Sequence, residues 1–140
     1  MELTYESPGG LLRIVEPTAR QIADVVLLAP ANYWRQGGNG QALLSIAGRP
    51  CLSVLQPGAG RFFLELLLQD RLVPYDGGSC TEFLITEMGG DPFRVPLACT
   101  LKPAVAALAL AEFVRTRRQP GGICWVPMGE VPFKEGWYDE

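Results

Sequence analysis

Apolar and polar positions alternate in short runs along most of this chain, and in two segments they switch to the three-and-four spacing of a helix. Residues 2–6 and 11–16 flank the turn Pro8-Gly9-Gly10 and read as a hairpin. Over residues 18–29 the side chains of Ile22, Val25, Val26 and Ala29 share one side of a helix, with Thr18 as its cap and Pro30 as its stop. The segment that follows, ANYWRQGGNG, is a loop by composition. Three apolar runs come next, 42–47, 51–55 and 62–68, separated by turns at 48–50 and 57–60, which describes an antiparallel meander. The last of them, FFLELLL, is almost continuously apolar and belongs in the middle of the sheet.

Residues 71–79 read as a loop, 81–88 alternate as a strand, and 93–97 form a further strand that Pro92 and Pro96 relegate to an edge. Thr100 is placed as the N-cap of a second helix, with Pro103 in its first turn and Val105, Leu108, Ala109 and Phe113 facing the core. Arg115, Arg117 and Arg118 fall in the last turn, where they complement the negative end of the helix dipole. Pro120-Gly121-Gly122 breaks the helix, and ICWVP supplies a closing strand. The expected fold is α+β: a single domain over 1–127, an antiparallel β-meander packed with an N-terminal helix and a C-terminal helix and closed by the Trp125 strand. An acidic tail, 128–140, is expected to follow it.

A length of 140 residues suits one domain with a core of its own, and sixteen Gly and twelve Pro explain why the elements are short. No apolar run approaches the ~20 residues of a membrane-crossing helix, and the first residues lack the pattern of a secretion signal. The expectation is a cytoplasmic protein without a membrane partner. Cys51, Cys80, Cys99 and Cys124 each lie in or beside an apolar run and far from one another, as buried free thiols do. With no histidine, a zinc site would have to gather distant cysteines or carboxylates, so neither metal nor cofactor is expected.

The missing histidine also removes the Ser-His-Asp and Cys-His arrangements. The glycine clusters at 37–40 and 58–60 are not followed by the Lys-Ser/Thr of a phosphate loop and read as turns. Glu65, Asp70, Asp76 and Glu82 could supply a hydrolase's carboxylate pair, but any acidic protein offers such pairs. Charge is more informative. Between Phe62 and Phe93 stand six acids, Glu65, Asp70, Asp76, Glu82, Glu87 and Asp91, against one base, Arg71. Such a stretch disfavours nucleic acid as a direct partner and suits a basic protein. Among the aromatic residues of loops and tail, Tyr33, Trp34, Tyr75, Trp137 and Tyr138, the best candidates for interface anchors are Trp34 and Tyr75.

From Gly89-Gly90, through Thr100 and the Ala-rich helix with Ala111, Phe113 and Thr116, to Pro120 and Trp125, the chain resembles the C-terminal half of a family of bacterial immunity proteins. That family neutralises polymorphic toxins and is typically encoded beside nucleic-acid deaminase toxins. The resemblance covers roughly residues 62–127. It implies a non-enzymatic inhibitor whose partner is a cognate secreted toxin, a deaminase domain, with a basic substrate groove that the inhibitor covers. On this reading the toxin faces Tyr33, Trp34, Asp70, Tyr75, Asp76, Glu82 and Glu87. The alternative is an adaptor or scaffold subunit that docks through the tail EVPFKEGWYDE.

Overall fold

The computed structural model describes residues 1–35 and 40–138. The first hairpin is β1 (Leu3–Glu6) and β2 (Arg13–Val15), followed by α1 (Ala19–Leu28). Thr18 caps α1 in a full capping box: its hydroxyl accepts from the Gln21 N–H, and the Gln21 side chain accepts from the Thr18 N–H. A 3-10 turn, Ala31–Arg35, carries the chain back over the sheet. The meander is β3 (Gln41–Ile46), β4 (Arg49–Gly58) and β5 (Arg61–Leu66). Then come β6 (Leu72–Pro74), the hairpin β7 (Phe83–Met88) and β8 (Asp91–Pro96), α2 (Pro103–Thr116) and β9 (Trp125–Pro127).

Seven strands form one antiparallel sheet in the order β2-β1-β3-β4-β5-β6-β9, and β7-β8 make a second, two-stranded sheet. The α+β fold, the meander and the closing Trp125 strand are therefore as expected from sequence. The strand β6 is not: within a segment that reads as loop, Leu72, Val73 and Pro74 are held by pairing with β5 on one side and β9 on the other.

Alternation along β5 explains its apolar run. Phe62, Leu64 and Leu66 belong to the core under the two helices, while Phe63 belongs to a second core on the opposite face. A strand covered on both faces has no solvent side to keep polar. The first core joins Leu3, Tyr5, Leu44 and Val54 of the sheet to Ile22 and Val26 of α1 and to Leu110, Phe113 and Val114 of α2. The second joins Leu55, Phe63 and Val73 to Phe93 and Val95 of β8.

Helix α2 departs from expectation at three points. Thr100 does not cap it; its hydroxyl donates to the Leu97 carbonyl within the short turn Leu97–Cys99. Leu101 is held extended by reciprocal backbone bonds with Phe62, so the helix begins only at Pro103, with Lys102 at the cap position and no side-chain cap. The buried sector is also rotated: Ala106, Ala107, Ala109, Leu110, Phe113 and Val114 are covered, whereas Val105 and Leu108 face outward. The alanines leave room for α1 and the sheet to approach from two directions. Finally, the helix ends at Thr116. Arg117 takes the left-handed conformation at φ 59° and binds the Val114 carbonyl and Glu16, so of the three arginines only Arg115 lies in the last turn.

The segment after Pro127 is not a free tail over the described residues. Met128 and Val131 are buried in the second core, and Phe133 and Trp137 pack against it. Trp137 stacks on Phe93 with ring centroids 6.0 Å apart and also meets Phe63 and Phe133. The backbone continues as an addition to β8: the Arg94 N–H donates to the Trp137 carbonyl at 2.7 Å, and Phe93 bridges to Tyr138. The Arg94 guanidinium binds the carbonyls of Glu135, Gly136 and Tyr138, which fixes the turn. Asp139 and Glu140, the acidic end of the expected tail, lie outside the described residues.

Candidate functional site

The acidic stretch emerges from β5 with Glu65, whose carboxylate is buried beside Ser53 on the neighbouring strand. A buried carboxylate needs a charged partner, and Arg71 provides it, its Nε 2.6 Å from the Glu65 oxygen. Bonding to Glu65 raises the Arg71 pKa against the opposing effect of burial. Sequence reading offered Glu65 only as one acid among several; the single charge within an apolar strand, followed by the only base of the stretch, is the signal that marks the pair. Replacing Arg71 with Met is expected to cost about 2 kcal/mol, less than the ~3–5 of a fully buried pair because the arginine is half exposed. Urea unfolding measures it, and a cost within error of zero would mean that water takes over the arginine's role.

After β6 the chain makes a compact loop. The Asp76 N–H donates to Ala98, the Asp76 carboxylate accepts from the Gly78 N–H at 2.6 Å, and Gly77 takes a positive φ of 84°. Tyr75 folds over this turn with its hydroxyl donating to the Gly78 carbonyl at 2.8 Å. Ser79 and Thr81 bond each other, and the Leu97 N–H reaches the Glu82 carbonyl. The loop is thus tied to the Leu97–Cys99 turn at two points and presents Asp76 and Glu82 to solvent. The two acids line one shallow depression of about 280 Å³ with Arg61 and Ala98.

The other expected contact residues are dispersed. Asp70 lies on a separate concavity of about 1000 Å³, between Arg71, Arg94 and the C-terminal segment with Trp137 and Tyr138. Glu87 lies on a third, of about 430 Å³, whose walls include Trp34, Gly40, Gln56 and Pro57. Asp76, Glu82 and Tyr75 therefore belong together, and Asp70 and Glu87 do not join them.

Trp34 is corrected from exposed anchor to core residue. It is 3% exposed and meets Phe62 and Tyr33 edge-on, with centroids 5.2 Å apart in each pair. The chain reversal after Ala29-Pro30 lays the turn Ala31–Arg35 directly on the sheet. The Trp34 indole N–H is buried and finds no acceptor among the described residues. Tyr33 is half buried and shares a 2.7 Å hydrogen bond with the hydroxyl of Tyr5. Burial raises the pKa of both tyrosines, and that of Tyr5 is raised further by the bond to Tyr33.

Three of the four cysteines, Cys51, Cys80 and Cys99, are buried, but Cys124 is exposed because it precedes the edge strand β9. Burial raises the pKa of Cys80 and pushes that of Cys99 up to about 12, the reverse of what a nucleophilic thiol needs. Among the described residues, no three cysteine or carboxylate side chains converge in a metal-binding arrangement, and no helix is long and apolar enough to cross a membrane.

No protein-family model matches the chain, and no curated protein is significantly similar to it in sequence.

Proposed function

We propose that this chain is a cytoplasmic, non-enzymatic inhibitor of the immunity type, which binds a cognate toxin, a nucleic-acid deaminase domain, and covers its basic substrate groove. The observation that carries the reading is the 75–82 loop: two solvent-facing carboxylates, Asp76 and Glu82, on a support held by Tyr75, the Asp76 turn and two backbone bonds. A rigid display of negative charge costs little ordering entropy on binding and steers a basic surface toward it. The resemblance of residues 62–127 to immunity proteins supports the same reading, and so does the lack of histidine. Docking through a free C-terminal segment would first have to pull Trp137 away from Phe63 and Phe93.

The test starts from the neighbouring reading frame: a toxin domain encoded there should be captured and inhibited, and the lack of one would count against the reading. Wild-type protein should retain the toxin and suppress its deaminase activity. The double variant Asp76→Lys and Glu82→Lys should bind roughly 100-fold more weakly and with a shallower dependence on salt. Unchanged affinity in the double variant would take the loop out of the interface.

A further inference from the structure

The seven-stranded sheet ends differently on its two sides. On the β9 side the Tyr75 N–H donates to the Cys124 carbonyl and the Met128 N–H to the Arg71 carbonyl. In the register Val73 opposite Val126, the residues that turn away from β6 are therefore Trp125 and Pro127, and Pro127 has no N–H to offer. On the β2 side the Ser7 N–H donates to the Leu12 carbonyl and the Glu16 N–H to the Leu3 carbonyl. In the register Tyr5 opposite Ile14, residues 12, 14 and 16 bond β1, so Arg13 and Val15 direct both N–H and C=O outward. The only strand beside β2 is β1, and no described residue bonds those outward groups.

Exposure agrees with this parity. Leu11 is 84% exposed, Leu12 46% and Val15 49%, and Arg13 and Glu16 are exposed as well. The preceding turn is equally clear, since a methyl group added to Gly10 would meet no atom within 4 Å. Sheets guard an edge with proline, a bulge or a covering segment. Strand β9 has its proline, whereas β2 has none and its register with β1 is unbroken. Charge identifies what fits there. Glu6 stands opposite Arg13 on the same face, and Arg117 binds Glu16, so the edge is neutral overall as well as apolar. A strongly basic or acidic strand gains nothing from it; a second copy of the same neutral edge does.

We propose that β2 is a dimerisation strand, which pairs antiparallel with β2 of a second copy about a two-fold axis at Ile14, Arg13 of each copy lying opposite Val15 of the other. Arg13 and Val15 then exchange both backbone bonds across the axis, and the sheet runs on through both copies. The two Ile14 side chains meet in the close, non-bonded pair at the axis, on the face that carries the first core. Side chains fix this register. A slip one way sets Arg13 against Arg13, and a slip the other way sets it against Pro17, which cannot donate. The interface goes beyond the inhibitor reading and does not rest on it. The 75–82 loop follows β6, toward the other end of the sheet, so a dimer keeps two such loops clear of the interface.

So short a ladder makes a weak dimer, and the full chain should sediment as a monomer at micromolar and as a dimer at millimolar concentration. Over the same range, exchange of the Arg13 and Val15 amides should slow roughly tenfold, while that of Ile14, already bonded to β1, should change little. A chain still monomeric at millimolar concentration, or a dimer that leaves those two amides unprotected, would overturn the proposal. Val15→Pro removes an outward N–H that β1 does not use, and it should leave only monomer. Two further variants keep that N–H and read the register by charge. Val15→Glu should dimerise roughly tenfold more tightly than Val15→Lys, because the symmetry sets each new charge against Arg13 of the other copy twice, and molar salt should erase the difference. Equal dimerisation of the two variants, or the reverse order, would overturn the pairing.

Discussion

A chain that stops at Pro127 should fail to reach a stable native fold. The eleven described residues beyond that point, 128–138, bring Met128, Val131, Phe133 and Trp137 onto the second core, and without them Phe63, Val73 and Phe93 face water. Removing a large aromatic from such a site costs about 3–5 kcal/mol, and a whole domain commonly has only 5–15 kcal/mol in hand. The truncated chain also leaves the outer edge of β8 unpaired and deprives Arg94 of the three carbonyls it binds. Trp137→Ala provides the graded version. Because Trp137 is only partly buried, its loss should cost about 3 kcal/mol and lower the melting temperature by roughly 10 °C. A truncated chain that keeps the wild-type melting temperature and a sharp unfolding transition would mean that the segment decorates the domain without supporting it. The result also bears on function, since a segment needed for folding cannot be deleted to test whether it docks.

What was legible in the sequence is what local pattern determines. The Thr18 cap of α1, the β3–β5 meander and the interior place of β5 in the sheet follow from residue type and spacing over a few positions. What was hidden depends on partners far away in the chain. Nothing in Leu72–Pro74 says strand; pairing with β5 and with β9, more than fifty residues on, makes it one. Thr100 looks like a cap until Phe62 claims Leu101 and postpones the helix. Trp34 looks like a loop aromatic until the reversal at Pro30 lays it on Phe62.

The candidate site divides the same way. Asp76 and Glu82 lie within a few positions of each other, and the loop keeps them together; Asp70 and Glu87 are as near in sequence but lie on separate concavities. A count of acids along a chain cannot distinguish these cases, because strand direction and loop ties decide which face each acid joins. The packing of the C-terminal segment is hidden for a different reason: its apolar residues have neither helical nor strand spacing, so only their number hints at burial.

The other large effect is expected on the alkaline side of the stability curve. Tyr5, Tyr33, Cys80 and Cys99 all have raised pKa values in the fold, with burial as the leading cause. For an acid that is neutral when protonated, a raised folded value means that the native state holds a proton the unfolded chain releases. Stability is then fully present below the unfolded pKa and is lost as pH rises through the window up to the folded one. For Cys99 that window runs from 9.0 to about 12. Each proton so held gives a slope of about 1.4 kcal/mol per pH unit, so Cys99 alone withdraws about 4 kcal/mol across its window. The tyrosines, whose unfolded value is 10.0, steepen the loss above that pH. Urea unfolding under reducing conditions between pH 7 and pH 10 should therefore show a level region followed by a fall that begins near pH 9. Cys99→Ala should start lower at pH 7, by about 1 kcal/mol for the lost sulfur contacts, and then fall less steeply by about one proton's slope. Parallel curves for the two proteins would show that the Cys99 thiol ionises in the native state as readily as in the unfolded chain, and that the second core is wetter around Cys99 than its full burial implies.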